Sequence, residues 1–151
     1  MNLEITIEDK DWKTVPSLRK LARQAIKAAL VDDDVSISVL FTSDAEISGI
    51  NKQWRGKARP TNVLSFPVSV ETPVPKGEPR PLGDIVMAYG TILKEATEQK
   101  KPVANHVSHL IVHGLLHLLG YDHEIDAEAE IMEAREVEIL KKLGIEDPYK
   151  S

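Results

Sequence analysis

The chain contains no cysteine. Disulfides and thiolate metal sites are therefore excluded, and any transition-metal centre must be built from imidazole and carboxylate. No uninterrupted apolar stretch approaches the ~18 residues needed to cross a bilayer. The opening MNLEITIEDKDW also lacks the basic flank and apolar run of a secretory signal. A cytoplasmic protein with no membrane partner is the expectation. Internal repeats and clear linkers are missing too. The 151 residues are expected to form one domain, 1–151, around one sizeable core. At 42% hydrophobic and 28% charged residues, the composition is that of an ordinary globular protein.

The net charge of −5 argues weakly against a nucleic-acid partner, but the charge is segregated. Residues 124–138 carry seven acids and one base, enough to account for the whole excess. Residues 52–59 carry Lys52, Arg55, Lys57 and Arg59 and no acid. Local fields steer ligands more than the sum does, so net charge leaves the partner open.

Hydrophobic spacing predicts an α+β fold: a small mixed sheet of about four strands, about five helices, and a central buried helix bearing histidines. Leu3, Ile5 and Ile7 alternate with polar residues, as do Val35, Ile37, Val39 and Phe41 after a turn at Asp32–Asp34. Short strands are predicted over 62–66 and 85–88. Helical spacing runs over 15–30, 91–100 and 103–119, and Ser43 with Glu46 opens a helix to about Trp54 as a capping box. Asp126 is the expected N-cap of a last helix, with Lys141 and Lys142 near its end and Gly144 as its stop. Residues 67–81 hold five prolines and form a long loop, a candidate binding segment.

All five histidines lie between positions 106 and 123. His106, His109, His113 and His117 share one stripe of a helix that is apolar on every other side, so imidazoles are carried into or beside the core. His113 and His117 are one turn apart, Gly120 ends the helix, and His123 can return from the far side of the turn. Three imidazoles with a fourth position open make a catalytic zinc site. A buried pair alone would be as consistent with core histidines satisfied by their neighbours. His109 reads equally as a ligand-orienting or proton-carrying group and as a core histidine. His106 is expected near the helix start and solvated.

The spacing equals H-E-x-x-H-x-x-G-x-x-H, but position 114 is glycine where such peptidases carry their general base. That weighs against a zinc peptidase, one rival reading. The other rival is a non-catalytic assembly factor whose metal is structural. Proton carriers available in sequence are Asp84, His109, Asp122 and Glu124; Asp84 also reads as a turn residue opening a strand, and Asp122 and Glu124 as orienters of His123. In the basic segment, Arg55 suits a phosphate and Trp54 a stacked base, or the indole belongs to the core.

Arg55 with Pro60-Thr61-Asn62-Val63-Leu64-Ser65-Phe66-Pro67, then Leu82-Gly83-Asp84-Ile85, then His113-Gly114-x-x-His117-Leu118-Leu119-Gly120-Tyr121-Asp122-His123, and the ending Gly144-x-x-Asp147-Pro148-Tyr149, resemble the YbeY family of bacterial endoribonucleases. The resemblance implies a zinc-dependent, single-strand-specific endoribonuclease. It implies a part in ribosomal RNA processing at the 3′ end of 16S rRNA and in ribosome quality control, with small ribosomal subunit proteins as further partners. By position it implies His113, His117 and His123 as ligands of one zinc ion and Arg55 as the functional arginine. Two departures stand out: Ala58 where the family often has an acid, and Trp54 where it often has tyrosine.

Overall fold

The computed structural model describes residues 1–32 and 34–150. The elements in chain order are β1 (Asn2–Ile7), a 3-10 turn (Lys10–Thr14), α1 (Leu18–Ala29), β2 (Val35–Thr42), α2 (Asp44–Arg55), β3 (Val63–Pro67), β4 (Arg80–Ala88), α3 (Tyr89–Glu98), α4 (Val103–Leu118) and α5 (Asp126–Lys142). This is the expected α+β architecture of four strands and five α-helices. The middle residue of the turn expected at 32–34 lies outside the described residues, as does residue 151 of the expected domain.

The sheet order is β1-β2-β4-β3. β1 and β4 run parallel to β2, and β3 pairs antiparallel to β4. Strand residues alternate between two faces. Ile37, Val39, Phe41, Ile85 and Met87 enter the main core with α1, α4 and α5. Leu64, Val86 and Ala88 form a smaller cluster with Ile47 of α2. Helix α4 lies centrally, against α1, α3, α5, β3 and β4. It is the buried, histidine-bearing helix expected from its apolar flanks.

β4 starts five residues earlier than its apolar run suggested. Arg80 and Pro81 pair with Val35 and Ser36, and Asp84 sits mid-strand opposite Ser38 and Phe66. The early half escapes apolar patterning because its second face is left open. Asp84 shares that face with Val86 and Ala88, but α2 covers only the latter two. Helix α1 starts at Leu18, not at Val15, because Ser17 takes a left-handed conformation at φ 55°. Trp12, in the 3-10 turn, is buried edge-on against Phe41 and donates its indole N–H to the Thr42 carbonyl at 2.8 Å. Ser43 caps α2 as expected, accepting from the Glu46 N–H at 3.2 Å. Asp126 is the first helical residue of α5, and Ile125 occupies the N-cap without a side-chain cap.

Candidate metal centre

The end of α4 shapes the site. The Gly120 N–H donates to the His117 carbonyl at 3.1 Å and the Tyr121 N–H to the Leu116 carbonyl at 3.0 Å. This paired pattern closes a helix through a left-handed residue, and Gly120 has φ 101°. The turn sends the chain back over the helix end, so that one nitrogen each from His113, His117 and His123 lies within 4.8 Å of the others.

Two of these rings are fixed by their second nitrogen. His117 Nδ1 donates to the Tyr121 carbonyl at 3.1 Å, and His113 Nδ1 donates to Glu136 Oε1 at 2.5 Å. Both rings therefore present Nε2 inward, and the two Nε2 atoms are 3.2 Å apart. Facing lone pairs at that distance repel unless a cation lies between them. Burial, then the His113 and His123 charges, push the His117 pKa down and keep that ring neutral. Two nitrogens bound tetrahedrally to one zinc at ~2.0–2.1 Å lie about 3.3 Å apart, so the pair already has ligand spacing. His123, exposed on the following loop, offers the third nitrogen, within 4.8 Å of the other two. The residues fit a metal ion held by three imidazoles.

Glu136 is the group that the sequence reading missed. It comes from α5, is 0% exposed, and is the only acid in the buried set of its helix beside Met132, Ile139 and Leu140. Its Oε2 accepts from His109 Nε2 at 2.9 Å and from the Tyr149 hydroxyl, while Oε1 holds His113. Burial alone would raise its pKa. The hydrogen bonds from His109, His113 and Tyr149 overcome that and bring it down to about 2. The signal was present in the sequence: position 136 is one turn from Met132 and one turn from Leu140, where helical spacing calls for an apolar residue.

Position 114 faces the sheet. A Cβ there would meet Ser65 Oγ at 3.1 Å and Ile85 Cγ2 at 3.2 Å. The Ser65 hydroxyl also donates to the Gly114 carbonyl at 3.2 Å. The glycine thus permits close approach of helix and strands, and a side chain in the peptidase position would press on Ser65 and Ile85.

The histidines line a cavity of about 610 Å³ whose other walls include Arg55, Asn62 to Ser65, Asp122 and Glu124. Arg55 is the last residue of α2, and the loop after it is pinned by Asn51, whose Nδ2 donates to the Arg59 carbonyl at 3.1 Å. Lys52, Lys57 and Arg59 are exposed nearby but do not line this cavity. Of the 67–81 loop, only Pro67 does. Trp54 is 68% exposed, 6.1 Å from the Phe66 ring, so the core alternative for its indole is excluded.

The four candidate proton carriers separate. Asp122 and Glu124 line the cavity, and Asp122 Oδ1 accepts from the His123 N–H at 2.7 Å. His109 lies behind the centre on Glu136. Asp84 is on the sheet face away from α4 and belongs to a different groove with Glu4 and Ser38. His106 is 3% exposed rather than solvated, because α4 packs against α3 from its first turn, and its Nε2 bonds Glu95 at 2.9 Å.

Against known proteins, the family described as Endoribonuclease YbeY matches residues 4–144. The chain belongs to the YbeY family. An Endoribonuclease YbeY from Azorhizobium caulinodans is 45% identical, with 99% of this chain and 96% of the relative covered. One from a Bradyrhizobium species is 50% identical, covering 97% and 90%. The solution structure of a Thermotoga maritima protein is 27% identical, with a TM-score of 0.56 and 99% of both chains covered. In this YbeY protein the three-histidine set, the cavity and Arg55 therefore sit in a family named for endoribonuclease activity. Among the described residues, no helix is long and apolar enough to cross a membrane.

Proposed function

We propose that this chain is a zinc-dependent, single-strand-specific endoribonuclease, built as one domain over 1–151, that acts in the cytoplasm on ribosomal RNA. Its work there would be maturation of the 3′ end of 16S rRNA and ribosome quality control, alongside small ribosomal subunit proteins. The observation that carries the reading is the pair of inward-facing Nε2 atoms, 3.2 Å apart, in a cavity shared with His123 and Arg55.

His113, His117 and His123 would hold the ion. When bound, zinc supplies a Lewis acid at a phosphate oxygen and lowers the pKa of water. Glu136 and the Tyr121 carbonyl hold two of the rings in the ligating tautomer. Arg55 grips the phosphodiester and stabilises negative charge as it builds, through two donors at once. Trp54, exposed beside Arg55 at the end of α2 but outside the cavity lining, would offer a face for a base further along the strand, which favours unpaired RNA over duplex.

Gly114 counts against the peptidase rival, since the base is missing and a side chain at that position would crowd Ser65 and Ile85. An open cavity beside the three ligands counts against a purely structural metal. The test is cleavage of single-stranded ribosomal RNA by purified protein. His113→Ala and Arg55→Glu should each abolish it. Full activity in both variants would assign the cleavage to a contaminating nuclease and end the proposal.

A further inference from the structure

Behind the metal cavity lies a second one of about 390 Å³. The two share three walls, Asn62, Val63 and His113. A strand whose phosphate sits between Arg55 and the histidines extends to either side of it, and the second cavity adjoins the first across these walls.

Its lining has two kinds of surface. Tyr149 is 45% exposed and, with Pro148, Leu110 and Val63, gives apolar walls. The Tyr149 ring is held in place by its hydroxyl, which donates to Glu136, and by an edge contact with His109 at 5.7 Å. Opposite are Gln99 and Lys101, whose side chains have no hydrogen-bond or ion-pair partner among the described residues. Lys101 is half-buried on this wall, and burial, partly offset by Glu95, lowers its pKa, a shift that an anion bound beside it would oppose. Glu95 keeps its charge, so of the two it is Lys101 that suits a phosphate. The Glu95 carboxylate accepts from Asn62 Nδ2 at 3.0 Å and bonds His106 Nε2 at 2.9 Å, and its remaining lone pairs suit a base amine.

An apolar slot with a few polar groups at one end, and a cation beside it, is the chemistry of a nucleotide subsite. We propose that this second cavity seats the nucleotide next to the scissile phosphate, with its base against Tyr149 and Pro148, its edge read by Gln99 and Glu95, and its outer phosphate held by Lys101. This rests on the endoribonuclease reading of the neighbouring centre. It makes the protein a reader of at least one flanking base rather than an indifferent cutter.

The probe is a fluorescent single-stranded RNA hexamer with one abasic nucleotide walked along it. Binding is read by anisotropy on metal-stripped protein, where no cleavage intervenes, and cleavage is then read after zinc is restored. At one position next to the cut, the abasic residue should weaken binding by about tenfold, the scale of a lost base stack. Lys101→Ala and Gln99→Ala should weaken the intact hexamer with unchanged melting temperature and zinc content. In the double variant the abasic penalty should shrink. Equal binding of every abasic hexamer by the wild-type chain overturns the subsite, and that arm needs no variant to fold. Abasic-sensitive binding without cleavage on adding zinc would instead sink the endoribonuclease reading and leave an RNA-binding cavity.

Discussion

Glu136→Gln changes one atom at the centre of the site and tests how the candidate metal ligands are held. In the wild-type chain three donors converge on the carboxylate: His113 Nδ1 on Oε1, and His109 Nε2 and the Tyr149 hydroxyl on Oε2. A carboxylate accepts all three, whereas an amide accepts at one atom and donates at the other. If the amide nitrogen faces His113, that ring must move its proton to Nε2 and give up its ligand lone pair. If it faces His109 and Tyr149, two donors lose their acceptor. Each lost charge-assisted bond is worth about 1.5–3 kcal/mol. A loss of ~3 kcal/mol would lower the melting temperature of a chain this size by about 6–12 °C. Loss of such a ligand-orienting partner typically weakens metal binding by ~10–100-fold. Competition against a chromophoric chelator reads the affinity, and calorimetry reads the stability. Zinc affinity within twofold of wild type, with unchanged melting, would refute the claim that Glu136 sets the His113 tautomer.

Gly114→Glu should yield a destabilised chain with no peptidase activity, because its Cβ already meets Ser65 and Ile85; a stable variant that hydrolyses casein would contradict the packing argument. Trp54→Ala should raise KM for single-stranded RNA by about five- to tenfold with kcat little changed, while Trp54→Phe keeps most of the effect; equal KM for Ala and wild type would remove the stacking role. Burial, opposed by the Glu95 hydrogen bond and reinforced by Lys101 and His109, holds the His106 pKa below that of the unfolded chain. The unfolded state then binds more protons as pH falls below ~6.5, so the stability from neutral His106 is present above that pH and lost beneath it. Urea unfolding at pH 7.5 and 5.5 should show a smaller pH effect in His106→Gln than in wild type; identical effects would count against it.

The meeting of His113, His117 and His123 was legible because helix geometry is local. A one-turn spacing plus a turn glycine fixes where three rings can meet, whatever the rest of the chain does. Elements with one apolar and one polar face, such as β2 and α1, were legible for the same reason. The early half of β4 was not, since its open face carries Asp84 and its pattern is that of a loop. Glu136 was hidden among six other acids of one segment, although its position in the apolar spacing of α5 set it apart. The burial of His106 depends on α3, which packs against α4 only in three dimensions. Tyr149 joins the site from the far end of the chain, a contact that no local pattern encodes.

The claim that carries the rest is that one ion, held by His113, His117 and His123, is needed to cut RNA. The most direct measurement is single-turnover cleavage of single-stranded RNA by chelator-stripped protein as zinc is added in increments. Cleavage should be absent at the start and reach a plateau at about one equivalent per chain, the capacity of one three-histidine site. Undiminished cleavage by stripped protein, or a rate indifferent to added zinc, would contradict it.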